Sequence, residues 1–565
     1  MDTVYLDIET DGLNPTRIWC ACVSGDMFYD ADALRDRLGN PQRIVMHNGL
    51  GFDVPVLERL WGIDFTGHEI VDTLVLSRLY NPSLEGGHSL RAWGERLGFP
   101  KGDHEDWTKL SDEMVSYCKQ DVEVTEKLYL RLTEELSPFG TDSIILEHEV
   151  QKAIVEQQQN GWMLDERKSM HLLSELTERR REIEDEVRQR FIPLPVPGRE
   201  VVPKVTKTGA RAKTGLKAFG DSYRDVGGTF TQVTFPEFNL GSRKQIGTYL
   251  QRFGWKPLEL TPSGQPKVDE TILRQVNIPE AQLIADYLLV QKRIAQVESW
   301  VDAVESDGRV HGRVNAIGAI TGRMTHNSPN MAQVPAVYSQ YGKECREVWR
   351  VEEGHSLVGV DAAGLELRML AHYMGDPEYT EQILTGDIHT HNQEAAGLAK
   401  RDQAKTFIYA FLYGAGDATI GAIVGGGAKA GSALKEKFLS SLPALDSLRE
   451  RVERAVGRGY LRGLDGRRVW VRSSHAGLNT LLQSAGAIVM KRALAIFRQY
   501  SEKWGLEYKL LGSIHDEYQL EAPTAYADQV GYLMVECIKA AGLYYKMRCP
   551  LDGEYKIGLN WAETH

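Results

Sequence analysis

Over roughly the first 135 residues, short runs of alternating apolar and polar positions are separated by stretches with helical spacing. Residues 4–8 alternate as a half-buried strand does, and residues 43–46 form a second strand-like run. Residues 111–132 carry apolar positions three and four apart, the spacing of an amphipathic helix. Strands interleaved with helices predict an α/β domain. From 143 to 190 the pattern is helical throughout, with Asn160-Gly161 predicting a left-handed stop between two helices. Residues 191–236 lose all period and are rich in proline and glycine, which predicts a long loop or hairpin insert rather than a domain. Helical spacing returns over 242–300, and the rest of the chain is mixed α/β without an internal repeat.

A chain of 565 residues exceeds a single core and predicts two to four domains. No apolar run reaches the 18 or more residues of a membrane span, and no signal segment opens the sequence, so no membrane partner is expected. The net charge of −12 argues against a nucleic-acid partner until the chain is divided. Residues 1–140 hold 13 Lys+Arg and 25 Asp+Glu; the remainder then holds 66 − 13 = 53 basic and 78 − 25 = 53 acidic residues. The acidity belongs to the first domain, and basic surfaces elsewhere remain free to face phosphate. One such surface is the insert, with Arg199, Lys204, Lys207, Arg211, Lys213, Lys217 and Arg224 against Glu200, Asp221 and Asp225. The six cysteines form no CxxC pair. Cys20 and Cys22, two apart, share a strand face, which is a poor zinc pattern, and all six read as reduced core thiols.

Two constellations of acids carry candidate chemistry. In Val4-Tyr-Leu-Asp7-Ile-Glu9-Thr, strand alternation puts Asp7 and Glu9 on one face. Adjacent carboxylates repel unless a cation lies between them, so the pair suggests a divalent-metal site. Asp53 follows the turn-rich Asn48-Gly-Leu-Gly-Phe52, and Tyr117 and Asp121 are one helical turn apart. In the C-terminal half an apolar run, Ser356-Leu-Val-Gly-Val, ends in Asp361, and Leu365–His372 is helical. Downstream, Leu511-Gly-Ser-Ile-His515-Asp516-Glu517 places two acids at the bend of an expected hairpin. Single aspartates delivered to one point by separate strands suit two-metal phosphoryl transfer. Between these acids, Arg401, Lys405, Tyr409 and Tyr413 recur every four residues along one helix face. Such a stripe fits a nucleotide, phosphates at the cationic end and base at the aromatic end; taken alone it fits a solvated face above a core better.

The first constellation resembles the DEDD superfamily of 3′→5′ exonucleases, in the branch whose third motif begins with Tyr. The second resembles motifs A, B and C of the family A DNA polymerases. The resemblance runs from Leu6-Asp-Ile-Glu to Asn560-Trp-Ala. It includes Asp72-Thr-Leu-Val-Leu-Ser-Arg-Leu79, Asp361-Ala-Ala-Gly-Leu-Glu-Leu-Arg368, Gly386-Asp-Ile-His-Thr390, Gly463-Leu-Asp-Gly-Arg467 and Asn479-Thr-Leu-Leu-Gln-Ser-Ala-Gly486. These stretches look most like the replicative polymerases of short-tailed lytic phages. The resemblance implies an RNase H-like exonuclease domain (1–140) followed by a right-hand polymerase. Its parts would be a thumb (141–300, with the insert at 191–236), a first palm segment (301–385), fingers (386–480) and a second palm segment (481–565).

Roles follow by the same resemblance. Asp7, Glu9, Asp53 and Asp121 would bind metal, with Tyr117 orienting a water. Asp361 and Asp516, assisted by the Ala362 carbonyl, would hold the polymerase metals, and Glu517 would support them. Arg401, Lys405 and His389 would grip a triphosphate, and Lys405 would also donate a proton to leaving pyrophosphate. Glu366 would exclude a ribose 2′-hydroxyl, Tyr409 would stack on the incoming nucleotide, and Tyr413 would sit near the templating base. Arg323, Gln483 and His515 would touch the minor groove. The implied cofactor is Mg2+, two per site, with Mn2+ as a substitute. The implied partners are primer-template DNA and dNTPs, with a replicative helicase-primase as a further candidate, in the cytoplasm of an infected bacterium. In the phage relatives an insert at 191–236 recruits host thioredoxin. This one is shorter, and binding a partner, binding DNA and idling all stay open. The competing readings are a repair-type polymerase of the same family, a DNA-binding scaffold and a single-subunit RNA polymerase. The full set of acids argues against the scaffold, and Glu366 with an intact exonuclease argues against the RNA polymerase.

Overall fold

The computed structural model describes residues 2–257 and 259–565, apart from the side chain of Ser474. It forms two compact units, one made of the chain up to Asp165 together with Ala303–His565, the other of Glu166–Asp302.

Alternation in the N-terminal stretch builds a five-stranded sheet in the order Asp26–Phe28, Ile18–Val23, Thr3–Thr10, Arg43–Met46, Glu69–Asp72. The first three strands pair antiparallel and the last three parallel. Leu6 and Ile8 point into an apolar layer with Ile44, Leu34 and Leu57, so Asp7 and Glu9 must face the other way. That second face is covered by the helix Asp112–Leu136. Ser111 caps this helix through Met114 N, and Asp112 and Glu113 complement the dipole of its first turn.

The C-terminal half centres on a four-stranded antiparallel sheet, ordered Lys509–Ile514, Glu517–Pro523, His355–Ala362, Gly553–Gly558. The helices Gly477–Trp504 and Ala527–Tyr544 pack together, and the second lies on the sheet. Gly477–Trp504 is apolar and long enough to cross a membrane by length and composition, but it is 89% buried in this core. Between the strand His355–Ala362 and the hairpin, helices run through Ile388–Ala396, Arg401–Leu412, Asp417–Ala422, Ala428–Ser441 and Pro443–Val456.

The sequence reading joined residues 141–165 to the thumb, but the helix Asp142–Asn160 belongs to the larger unit. It packs on Gly477–Trp504 and on Lys509–Ile514, and its buried Glu147 explains why. Glu147 accepts from Arg467 at 2.5 Å and from Lys491 at 2.8 Å, while Arg467 also holds Asp465 at 2.6 Å. All four side chains are buried, and their charges cancel. Removing one partner would strand the others without water, a cost of about 3–5 kcal/mol. Gly161 turns the chain with φ 61°, as the Asn-Gly pair predicts, and Trp162–Leu164 then forms a short strand before the next helix.

In the smaller unit, the helices Glu166–Arg190 and Pro279–Asp302 pack along each other. The insert is a hairpin, with Val196–Val201 paired to Phe230–Thr234. Its base is fixed by Phe191 stacked on Phe238 at 4.5 Å and by Tyr249 Oη, which donates to Ile192 O at 2.9 Å.

Candidate active sites

The strand Thr3–Thr10, the turn at Asn48–Phe52 and the helix Asp112–Leu136 converge on a cleft of about 400 Å3 lined by Asp7, Glu9, Asp53, Tyr117 and Asp121. Asp53 opens the helix Asp53–Trp61 and accepts from Ile8 N at 3.2 Å, which fixes it over the strand of Asp7 and Glu9. Burial, then repulsion from Asp121 and Glu9, pushes Asp7 well above the ordinary aspartate range. Burial and the Asp121 charge raise Glu9 to about 9. Asp53 rises to about 7 and Asp121 to about 6, burial leading in both. Buried Glu9 Oε1 and Asp121 Oδ1 have no hydrogen-bond partner. Four crowded acids with unpaired inward oxygens fit a divalent-cation site, because a cation removes both the repulsion and the unmet demand for a donor.

Several neighbours of this cleft had no local signal in the sequence. Lys101 forms an ion pair with Asp121 and lies 4.5 Å over the Tyr117 ring. Burial works against its charge, but Asp121 and Tyr117 outweigh burial and hold the ammonium above the ordinary lysine value. Trp107 meets Tyr117 edge-on at 5.8 Å. Buried Asp72 accepts from Asn48 N at 2.8 Å and Leu50 N at 3.1 Å, so it shapes the turn that delivers Asp53.

The second site is more open. Asp361 stands exposed at the end of its strand, next to the hairpin bend that carries Asp516. Ala362 N donates to Asp516 O at 3.1 Å, which ties the two segments together at the acids. Burial and then the charges of Asp516 and Glu517 raise Asp361 to about 7. His515, in the bend, has φ 58°. A non-glycine residue held there costs of order 1–3 kcal/mol, a strain that functional turns tolerate. Only Asp516 sits in the bend; Glu517 already begins the next strand. Its carboxylate is engaged by Trp561 Nε1 at 2.8 Å, Gln519 Nε2 at 2.5 Å and His565 Nδ1 at 3.0 Å. Burial alone would raise Glu517, but these donors and Arg346 hold it below the ordinary glutamate value.

The helix Arg401–Leu412 has the expected two faces. Ala404, Phe407, Ile408 and Phe411 are buried, Arg401 and Lys405 are exposed, and Tyr409 is half-buried. Tyr413, at the helix end, stacks with Tyr409 at 6.4 Å. Tyr413 Oη donates to Glu366 at 2.9 Å, and Arg323 approaches the same carboxylate at 3.5 Å. Glu366 lies in the first turn of Leu365–Met374, because Gly364 (φ 55°) starts the helix directly after the strand. His389 stands 6.4 Å from Tyr409, and burial plus the Arg401 and Lys405 charges lower its pKa. Arg401 is held in a two-point ion pair by Asp387 at 2.6 and 3.0 Å. Arg323 and His515 line one small pocket together with Ala487 and Lys491. Gln483 lies one helical turn before Ala487 on Gly477–Trp504.

Residues 212–563 match the model of DNA polymerase family A, and the chain belongs to that family. Over 96% of its length it is 35% identical to the DNA-directed DNA polymerase of Enterobacteria phage T3, covering 95% of that protein. It is likewise 35% identical to the DNA-directed DNA polymerase of Escherichia phage T7, with 94% of each chain covered. Its fold is similar to the polymerase domain of Pol1 from M. smegmatis, solved with DNA primer-template and dNTP. There the TM-score is 0.78 at 19% identity, covering 99% of this chain and 95% of that one.

Proposed function

We propose that this polymerase extends a primer 3′ end at Asp361 and Asp516 and trims it at the Asp7–Asp121 cleft, as the replicative enzyme of a phage in the cytoplasm of its bacterial host. The observation that carries the reading is the pair of acid centres on separate sheets of one chain, the second facing a cationic and aromatic helix stripe. Asp361 and Asp516, with the Ala362 carbonyl, would hold two Mg2+ ions, and Mn2+ suits the same oxygen donors. When bound, such ions lower the pKa of an attacking hydroxyl and neutralise charge on the transferring phosphate.

The chain's own residues do the rest. Arg401, Lys405 and His389 bind the triphosphate, and the Asp387–Arg401 pair opens to release the guanidinium. Lys405 protonates the leaving pyrophosphate. Glu366, held by Tyr413 and Arg323, fills the space a 2′-hydroxyl would need. Tyr409 stacks on the incoming nucleotide, and Tyr413 borders the templating position. Arg323, Gln483 and His515 donate to the minor-groove acceptors common to all correct pairs. In the other cleft, Asp7, Glu9, Asp53 and Asp121 hold metal and Tyr117 orients water, with Lys101 neutralising Asp121. Residues 166–302 serve as thumb, 386–480 as fingers, and the sheet around Asp361 as palm. Glu517 braces the palm through its neighbours.

Asp361→Asn or Asp516→Asn should lower nucleotide addition about a thousandfold, the equivalent of several kcal/mol of lost charge stabilisation, while DNA affinity stays near wild type. Addition within tenfold of wild type would refute the assignment. The basic hairpin 191–236 contacts duplex phosphate or a processivity partner such as host thioredoxin. Direct contact predicts that deleting it flattens the log–log salt dependence of DNA affinity by about one unit per lost contact. A partner site leaves the slope alone and shortens products only when thioredoxin is present. Neither effect would make the hairpin an idle loop.

A further inference from the structure

On the pair Thr3–Thr10 and Ile18–Val23, Asp7 lies opposite Cys22 and Glu9 opposite Cys20. Residues directly opposite share a face, so two carboxylates and two thiols project from one patch. The helix Asp112–Leu136 crosses that patch and sets fully buried Cys118 into it. Cys118 Sγ is 3.6 Å from Asp7 O and 3.7 Å from Asp7 Oδ2. Ligand atoms of Asp7, Glu9 and Cys118 all lie within 4.8 Å of one another. Glu9, only 4% exposed, keeps Oε1 without a partner there. Burial of reduced core thiols accounts for Cys20 and Cys22 but not for a thiol set within ligand distance of two buried carboxylates.

We propose that Asp7, Glu9 and Cys118, with a solvent molecule in the fourth position, bind a borderline-soft divalent cation such as zinc. Magnesium gains nothing from sulfur and keeps an octahedron of oxygens. Zinc accepts mixed sulfur and oxygen in a tetrahedron, at about 2.3 Å and 2.0–2.2 Å. Such a shell has edges of about 3.6 Å, so these ligands close around zinc with side-chain shifts of roughly an ångström. The Cys118 proton leaves to solvent as the thiolate binds; no oxidant takes part. Closing the shell draws Asp7 and Glu9 toward the sulfur and out of the cleft, so zinc silences trimming and spares extension. This consequence rests on the exonuclease reading, whereas the binding rests on the geometry alone.

The test titrates the full-length protein, kept reduced with a phosphine, with Co2+. A near-ultraviolet sulfur-to-cobalt charge-transfer band should saturate at about one equivalent and be displaced by zinc. Cys118→Ser should abolish the band and weaken zinc binding on the order of a hundredfold; Asp361→Asn should leave the band intact. If Cys118→Ser does not fold, judged by its melting curve, Cys118→Ala serves, with the band likewise absent. In trimming assays at fixed Mg2+, zinc should inhibit the wild type at concentrations that leave Cys118→Ser unaffected. No band, a band indifferent to both cysteine variants, or a disulfide among these thiols by mass spectrometry would overturn the site. A thiol-dependent band in a protein that never trims would uphold the site and defeat the exonuclease reading instead.

Discussion

The two acid centres solve opposite problems. Near the N-terminus four carboxylates are packed in a cleft, with Lys101 ion-paired to Asp121, and burial lifts three of them to between about 6 and 9. Near the C-terminus two aspartates stand at a strand end and a hairpin bend, exposed or half-exposed, with Asp361 raised to about 7. An enclosed site brings all of its own negative charge and is strained until a cation arrives. An open site with two acids leaves room for phosphate oxygens to finish a metal shell, the way magnesium is usually held with nucleotides. On the proposed reading the first waits for a cation and the second for a nucleotide.

The comparison breaks most visibly if the centres share function. Asp7→Ala/Glu9→Ala should lower trimming of a single-stranded 3′ end by at least about a hundredfold, since metal-dependent charge stabilisation is worth several kcal/mol. Extension by the same protein should stay at the wild-type rate. Trimming at the original rate would mean that the ligands are misplaced.

A smaller effect sharpens the nucleotide side. Tyr409 is half-buried on the stripe, and the proposed function sets its hydroxyl beside the incoming sugar. Loss of one such hydrogen bond, about 0.5–1.5 kcal/mol, should make Tyr409→Phe discriminate against dideoxynucleotides by up to tenfold more. An unchanged dideoxy-to-deoxy ratio would take this helix face out of the sugar pocket.

The subtlest effect is on stability. Raised carboxyl pKa values favour the protonated folded state. Their stabilising contribution is complete below the unfolded value near pH 4 and is lost as pH rises through about 6 to 9. The melting temperature of cation-free protein should therefore fall from pH 6 to 9, Mg2+ should restore it, and Asp7→Asn/Glu9→Gln should flatten the slope. A melting temperature that climbs over this window, with Asp7→Asn/Glu9→Gln having no effect on it, would contradict the enclosed-charge picture.

What was legible in the sequence was local. Period two put Asp7 and Glu9 on one face, a four-residue step joined Tyr117 to Asp121, and the same step wrote the Arg401–Tyr413 stripe. Partners brought together by tertiary packing left no such trace. Lys101 reaches Asp121 from a loop, Asp387 captures Arg401 from the cap of another helix, and Glu147 meets Arg467 and Lys491 across hundreds of residues. That last buried network ties Asp142–Asn160 to the larger unit, and helical period says nothing about which unit a helix joins. Glu517 looked like a second bend acid because the residues that engage it, Trp561 and His565, come from the far end of the chain.

The independence of the two centres is tested most directly by measuring 3′-end trimming in Asp361→Asn protein, on single-stranded DNA with Mg2+ present. Two separately built sites predict trimming at the wild-type rate while nucleotide addition is lost. Trimming that falls in step with addition would show one shared centre and contradict the account.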